Sequence, residues 1–359
     1  MRDTRNTVLL LVLLCLGNIY AHPIPSNPVL SLYSLHSSDD GLMRSVARRW
    51  EVKSKEGNQF KVIVPKPEAL QFLAIAPKAQ LIEPDMAAAL RKKVGADRAG
   101  WRNLQGVHAE LDKIADDYPM IATVDTYGKS MEGRALKVLR LQGKTPLSQR
   151  APAVAITSAT HGDELITVEV VMELLQEMVS KYGTDTRITR MIDSHEIFFI
   201  PVVNPDGYVR MERYSNGVDP NRDYPWPESP NRNPNPAIKA IMDFFASHDV
   251  KGSLDYHSTG GMIMYPWAYT HQSLHQEDKE KFAEITRNMA STNGYRHGPI
   301  ADVIYVAKGS SADYYYWKLK TTSLAIEIRR DGSASLIPEM TRENRESTWQ
   351  FIESITPDR

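Results

Sequence analysis

The sequence predicts an α/β layer protein, a mixed and largely parallel sheet with helices on both faces, preceded by a small α+β unit. Two patterns predict it. From Trp101 onward, apolar β-rich runs alternate with segments of helical spacing, the order that builds a sheet covered on both faces. Before Pro84 the runs are shorter and follow a β-α-β-β-α-β order. A length of 359 residues suits one large domain and a small one, and 42% apolar with 24% charged residues supports a sizeable core. Lys plus Arg (43) nearly balance Asp plus Glu (44), a formal charge of -1, so no global field recruits nucleic acid or an anionic membrane.

The elements follow in chain order. Arg2 and Arg5 precede the apolar run Val8–Leu16, and Gly17 to Ala21 follows, the order of a secretory signal over residues 1–21. Export to a secreted or periplasmic location is expected. No later stretch reaches the roughly 20 apolar residues of a membrane helix, so no membrane contact is expected after signal removal. Cys15 is the only cysteine and falls inside this segment, which excludes disulfides and thiol catalysis from the mature chain.

Residues 22–84 carry the small unit. Val29–Leu35 alternates like a strand, and Asp39–Trp50 has helical spacing behind acidic caps. Trp50–Lys55 and Phe60–Val64 read as strands, Pro67–Ala74 as a short helix opened by proline, and Ala79–Ile82 as a last strand. That order is the ferredoxin-like split βαβ pattern. Residues 85–100 read as a connecting helix and linker, in which Arg91-Lys92-Lys93 and Arg98 offer trypsin-like processing points. In residues 101–359 the expected strands are Leu136–Leu141, Ala153–Thr160, His195–Val203, Gly252–His257 and Ser323–Ile328. The expected helices are Ile166–Lys181, Ala237–Ser247, Ser273–Asn293, Ser311–Lys320 and Glu343–Ile355.

Chemistry concentrates where strands end. His161-Gly-Asp-Glu164 lies at a strand-to-helix turn, on the sheet edge where open α/β proteins bind ligands. A His and a Glu three apart across such a turn can face one cation, and His257, ending another apolar run, supplies a third donor. Two nitrogens and a carboxylate leave a fourth position open, the catalytic rather than the structural arrangement of zinc. His195-Glu196 sits in an apolar β-rich segment and reads as structural. Glu327 stands alone in the apolar run Ser323–Ile328, either as a general base or paired to Arg329 or Arg330. Arg213 and Asn221-Arg222 offer donors suited to a carboxylate.

Together these residues resemble a known family. His161-Gly-Asp-Glu164, Asn204-Pro-Asp-Gly207, Gly217-Val-Asp-Pro-Asn-Arg222, Asp255-Tyr-His-Ser258, Ile304-Tyr305, Gly309-Ser-Ser-Ala-Asp313 and Ile326-Glu327-Ile are similar, in order, to motifs of the zinc carboxypeptidases related to pancreatic carboxypeptidases A and B. The small N-terminal unit resembles the inhibitory prosegment of the same enzymes. The resemblance implies an eight-stranded sheet and one Zn2+ per chain held by His161, Glu164 and His257. It makes Glu327 the base and Asp219 an acceptor behind a ligand histidine. It makes Asn221, Arg222 and Tyr305 the grip on a peptide or protein substrate with a free C-terminal carboxylate. Arg213 would steady the oxyanion, with Arg210 in reserve, because the interval from Arg213 to Asn221 is one residue shorter than in the relatives. Ala312 takes the position of the side-chain pocket floor and leaves room for an apolar residue, while Asp255 is expected to line that pocket and to favour a basic one. A zymogen trimmed by an activating protease is expected. Two other functions remain open: a murein-peptide γ-D-glutamyl-diaminopimelate amidase of the same fold, and a peptide-binding protein without turnover.

Overall fold

The computed structural model describes residues 26–95, 98–143 and 151–356, and the expected signal segment, residues 1–21, lies outside them. The described residues form two sheets. The first is antiparallel, built from β1 (Leu30–His36), β2 (Glu51–Glu56), β3 (Gln59–Pro65) and β4 (Gln80–Glu83) in the order β2-β3-β1-β4. Alternation along β1 and β3 sends Tyr33, Leu35, Phe60, Val62 and Val64 to one face, where Val46 and Phe72 from the helices Asp40–Ala47 and Ala69–Ile75 close a separate core. Trp50 and Phe72 meet edge to face with centroids 5.1 Å apart.

The second sheet has eight strands: β5 (Ala122–Lys129), β6 (Ala135–Leu141), β7 (Ala153–Ser158), β8 (Glu196–Ile200), β9 (Val250–Ser258), β10 (Met262–Tyr265), β11 (Arg296–Pro299) and β12 (Thr322–Ile328). Their order is β11-β10-β12-β9-β7-β8-β6-β5. The centre, β12-β9-β7-β8, is parallel, and β6, β5 and β10 join antiparallel to their inner neighbours. Every residue of β7 is buried because alternate side chains enter two different cores. Val154 and Ile156 pack with the helices Leu165–Lys181 and Ile337–Ser354, whereas Ala153 and Ala155 pack with the helix Pro236–Ser247 on the other face.

The expected strands and helices form with ends shifted by a few residues. Beyond them the sheet has β5, β10 and β11. Two of these are four-residue strands, β11 contains a proline and a glycine, and β5 is a polar edge strand, so none carries an apolar signature of its own.

The helix Met86–Val94 connects the two sheets, capped by Asp85, whose carboxylate accepts the Ala88 amide at 2.9 Å. Arg91, Lys92 and Lys93 are exposed at its end. Arg98 is not the accessible processing point its sequence context suggests. It is buried, donates to the carbonyls of Arg102 (3.1 Å) and Tyr208, and lies 4.8 Å over the Tyr208 ring.

Candidate metal centre and active site

The C-terminal ends of β7, β9 and β12 lie side by side at the sheet edge where the chain leaves for its connections. After β7, Ala159 adopts a left-handed φ of 47°, and the turn brings His161 and Glu164 back over the edge. Gly162 makes that turn possible: a Cβ there would fall 2.2 Å from the Gly207 carbonyl carbon. β9 delivers His257, and the parallel register sets Glu327 of β12 directly beside it.

His161 Nδ1 lies 3.1 Å from Glu164 Oε1, His257 Nδ1 lies 3.0 Å from Glu164 Oε2, and the two Nδ1 atoms are 3.1 Å apart. Tetrahedral bonds of about 2.0–2.1 Å to zinc would separate such atoms by roughly 3.3–3.4 Å, so this triangle is the right size. Two imidazole nitrogens facing each other also require something positive between them. The donor set fits zinc, and it is the only such group of three among the described residues. Beside His257 in the strand register, Glu327 has a buried Oε2 with no hydrogen-bond partner, an orphaned acceptor.

The charges are arranged to favour a cation. Burial opposes ionisation of Glu164, yet the two imidazoles hold it well below the ordinary carboxylate range. Burial likewise opposes charge on His257, which Asp255 and Glu164 nevertheless raise well above the usual imidazole value. Glu327 behaves oppositely: burial, reinforced by the Glu164 charge, pushes it up to about 8.

The other predicted residues fall as follows. Asp219 Oδ1 is 3.1 Å from His161 Nε2 and also caps the turn Pro220–Arg222 through the Asn221 amide at 2.9 Å. Asn221 Nδ2 lies 3.3 Å from His257 Nε2. Arg222 donates to the Tyr305 hydroxyl at 2.9 Å. Arg213 is buried and donates to Glu164 Oε1 at 2.8 Å, which places it at the triad. Arg210 instead pairs with Glu132 and with Glu212 (3.0 Å), away from the triad. Ala312 is buried in an apolar cluster with Met262, Met264, Ala268, Ile300, Ala307 and Ala325. His195 is tied to the Ile355 carbonyl at 2.8 Å, far along the chain from the triad.

Asp255 shares a face with His257, as positions two apart on a strand do, and its buried carboxylate is turned to His257 Nε2 at 3.2 Å. Sequence reasoning missed Glu51 of β2, whose Oε1 lies 2.6 Å from Arg213 Nη2. The available signal was the strand Glu-Val-Lys-Ser-Lys-Glu itself, whose alternate residues Glu51 and Lys53 are charged.

The sequence profile described as zinc carboxypeptidase matches residues 107–350. The chain belongs to that family. Mouse carboxypeptidase A2 is 28% identical over 294 residues, covering 71% of this chain and 69% of that protein. The zinc carboxypeptidase of Saccharothrix mutabilis subsp. capreolus is 28% identical over 300 residues, covering 70% and 69%. Among solved structures, carboxypeptidase A from Helicoverpa armigera superposes with a TM-score of 0.74 at 22% identity, covering 91% of this chain and 97% of that one. With its metal triad and family membership, this zinc carboxypeptidase is a zinc-dependent peptidase that takes one Zn2+ per chain.

The first sheet reaches the triad region through Glu51, which pairs with the same Arg213 that donates to Glu164. A cavity of about 770 Å³ is lined by Arg44, Val52 and Lys53 from above and by Met262, Ile304 and Tyr305 from below. A larger hollow of about 1110 Å³ lies around Tyr127, Phe198 and His248; neither cavity is lined by a triad residue, but the smaller one includes Tyr305, the partner of Arg222.

Proposed function

We propose that this carboxypeptidase removes an apolar C-terminal residue from peptides, and that it is exported by residues 1–21 and held inactive by residues 22–84, a ferredoxin-like prosegment. The observation that carries the catalytic reading is Glu327, whose buried Oε2 has no hydrogen-bond partner and which strand register sets beside His257. Zinc on the triad supplies a Lewis acid at the scissile carbonyl and makes water more acidic. The chain's own residues do the rest. Asn221 and Arg222 hold the terminal carboxylate of the substrate, and Tyr305, on the same cleft wall, donates to the terminal peptide group. Arg213 donates to the developing oxyanion, an interaction whose loss typically costs about 10²–10³ in rate. Glu327, ionised once a cation occupies the triad beside it, accepts a proton from the attacking water and passes it to the leaving amine.

The apolar preference rests on Ala312, which by the family resemblance takes the pocket-floor position and which sits among the apolar residues Met262, Met264, Ala268, Ala307 and Ala325 with no charged side chain in that cluster. With Asp255 turned to His257, the argument for a basic terminal residue loses its support.

The prosegment reading rests on Glu51, which occupies the guanidinium of Arg213, and on Lys53, which enters the same small hollow as Asp163 and Asp331. The likeness to the Helicoverpa armigera fold covers 91% of this chain, more than residues 101–359 alone account for. The test is to measure bound zinc and then compare the full chain with a form cut after Lys93 on peptides ending in Phe, Leu, Arg and Lys, and on a murein tripeptide. Release of Phe or Leu by the trimmed form alone is expected. A full chain as active as the trimmed one removes the zymogen reading, and release from the murein tripeptide alone replaces the carboxypeptidase reading with the amidase.

A further inference from the structure

We propose that Asp255 is a positioning residue for the metal site: it holds His257 in the Nε2–H tautomer, so that Nδ1 faces the metal and the Asn221 amide stays free for substrate. Asp255 and His257 lie two residues apart on β9 and share a face, with Asp255 Oδ2 3.2 Å from His257 Nε2. The carboxylate is fixed before it meets the imidazole. Its Oδ1 accepts from the hydroxyls of Thr157 (2.9 Å) and Thr160 (3.0 Å), and its Oδ2 from Ser311 Oγ (2.8 Å). It is buried and cannot turn to water.

The tautomer matters because His257 Nε2 has a second neighbour. Asn221 Nδ2 lies 3.3 Å from it, and an unprotonated Nε2 would accept from that amide. The proton would then sit on Nδ1, pointing at Glu164 and His161 and closing the metal position. Asp255 excludes this state, since an unprotonated Nε2 would face a carboxylate oxygen with no proton between them. Once Nε2–H donates to Asp255, Asn221 Nδ2 finds no acceptor on the histidine. The amide's own orientation is set from the other side, where Asn221 Oδ1 accepts the Ser311 amide at 2.9 Å. Ser311 therefore fixes both Asp255, through its hydroxyl, and Asn221, through its backbone. His161 has the simpler version of the device, its Nε2 meeting Asp219 at 3.1 Å.

The test uses the full chain and reads zinc affinity by chelator competition, which does not depend on turnover. Asp255→Ala is expected to weaken zinc binding about 10–100-fold with the metal-free chain still folded by thermal melting. Asp255→Asn, whose side-chain oxygen still accepts from Nε2–H, is expected to recover most of that loss. A folded Asp255→Ala chain with unchanged zinc affinity overturns the proposal. Should that variant fail to fold, histidine-selective ¹⁵N spectra of the zinc-loaded native chain decide: a protonated Nε2 on His257 supports the assignment, and a protonated Nδ1 overturns it. The Asn221 half rests on the substrate reading above and has its own measurement. In the trimmed, zinc-saturated Asp255→Ala enzyme, KM should rise several-fold more than kcat falls. An unchanged KM beside weakened zinc binding overturns that half alone, and a native enzyme that binds zinc but cleaves no peptide would be a failure of the substrate reading instead.

Discussion

The metal end, with the triad, and the apolar end, with the cluster around Met262, are built on opposite terms. At the metal end, His161, His257, Glu164 and Asp255 have both polar atoms of each side chain engaged, whereas Glu327 Oε2 is left without a partner. In the apolar cluster, Ala268, Ala307, Ala312 and Ala325 pack around Met262 and Met264 with no polar side-chain atom of their own. The first end is specified by hydrogen bonds, in which one misplaced proton costs function. The second is specified by volume, in which one methyl group or one charge redirects selectivity. Their chemistry is separable, and substitutions should affect one end without the other.

The largest effect is expected at the unpaired atom. Glu327→Gln keeps the shape and the triad but cannot accept a proton, so kcat should fall about 10²–10⁴-fold with bound zinc unchanged. Retention of more than about a tenth of the activity in steady-state assays would show that the base lies elsewhere. At the apolar end, Ala312→Asp places a carboxylate where none has a partner. Specificity for peptides ending in Phe or Leu should drop about 10–100-fold while those ending in Lys or Arg gain, with zinc affinity untouched. Equal loss on all four peptides would mean that the two ends are coupled after all.

The roof of the cleft gives a smaller effect. Glu51→Ala removes the carboxylate that holds Arg213 Nη2 and leaves the guanidinium only its contacts with Glu164 and, at 3.9 Å, Asp163. Activity of the full chain should rise roughly tenfold, as expected when one partner of a buried charged pair is lost, and the trimmed form should not change. A full chain that stays silent would put the restraint in the covering strands rather than in this ion pair.

The same contrast explains what the sequence makes legible. The central strands and the triad announce themselves because β7 and β9 are buried on both faces and end in His161 and His257. The helix Leu165–Lys181 is equally plain, with apolar side chains almost all round. What stays hidden is set by pairing rather than by local pattern. β10 is a strand because β12 supplies a neighbouring edge, β11 because β10 supplies one in turn, and nothing in Arg296–Pro299 reads as β by itself. The surroundings of Asp255 are hidden for the same reason. Its position two before His257 puts both on one face, but only Thr157, Thr160 and Ser311, brought from β7 and from the turn and helix beyond, show which way the carboxylate turns. Glu51 reaches Arg213 across 162 positions of chain, a contact no local window contains.

The smallest effect is a change of stability with pH, and its sign separates the metal-free from the zinc-loaded state. In the metal-free chain, burial opposes charge on His161 and His257, but Glu164 with Asp219, and Asp255 with Glu164, raise them above the ordinary 6.5. A raised histidine stabilises fully below about 6.5 and loses that contribution as pH climbs through the raised value. Glu164 and Asp219 are lowered despite burial, chiefly by the imidazoles, so their contribution is full above the ordinary carboxylate range and fades in acid. The metal-free chain should therefore weaken on the alkaline side. Zinc binding moves the other way, because it requires both imidazoles neutral and displaces their protons. The melting-temperature gap between the zinc-loaded and chelated chain should widen by several degrees from about pH 6 to about pH 8. A gap that stays constant or narrows over that range would mean that the histidines are already neutral without metal, and that Asp255 and Asp219 orient them without charging them.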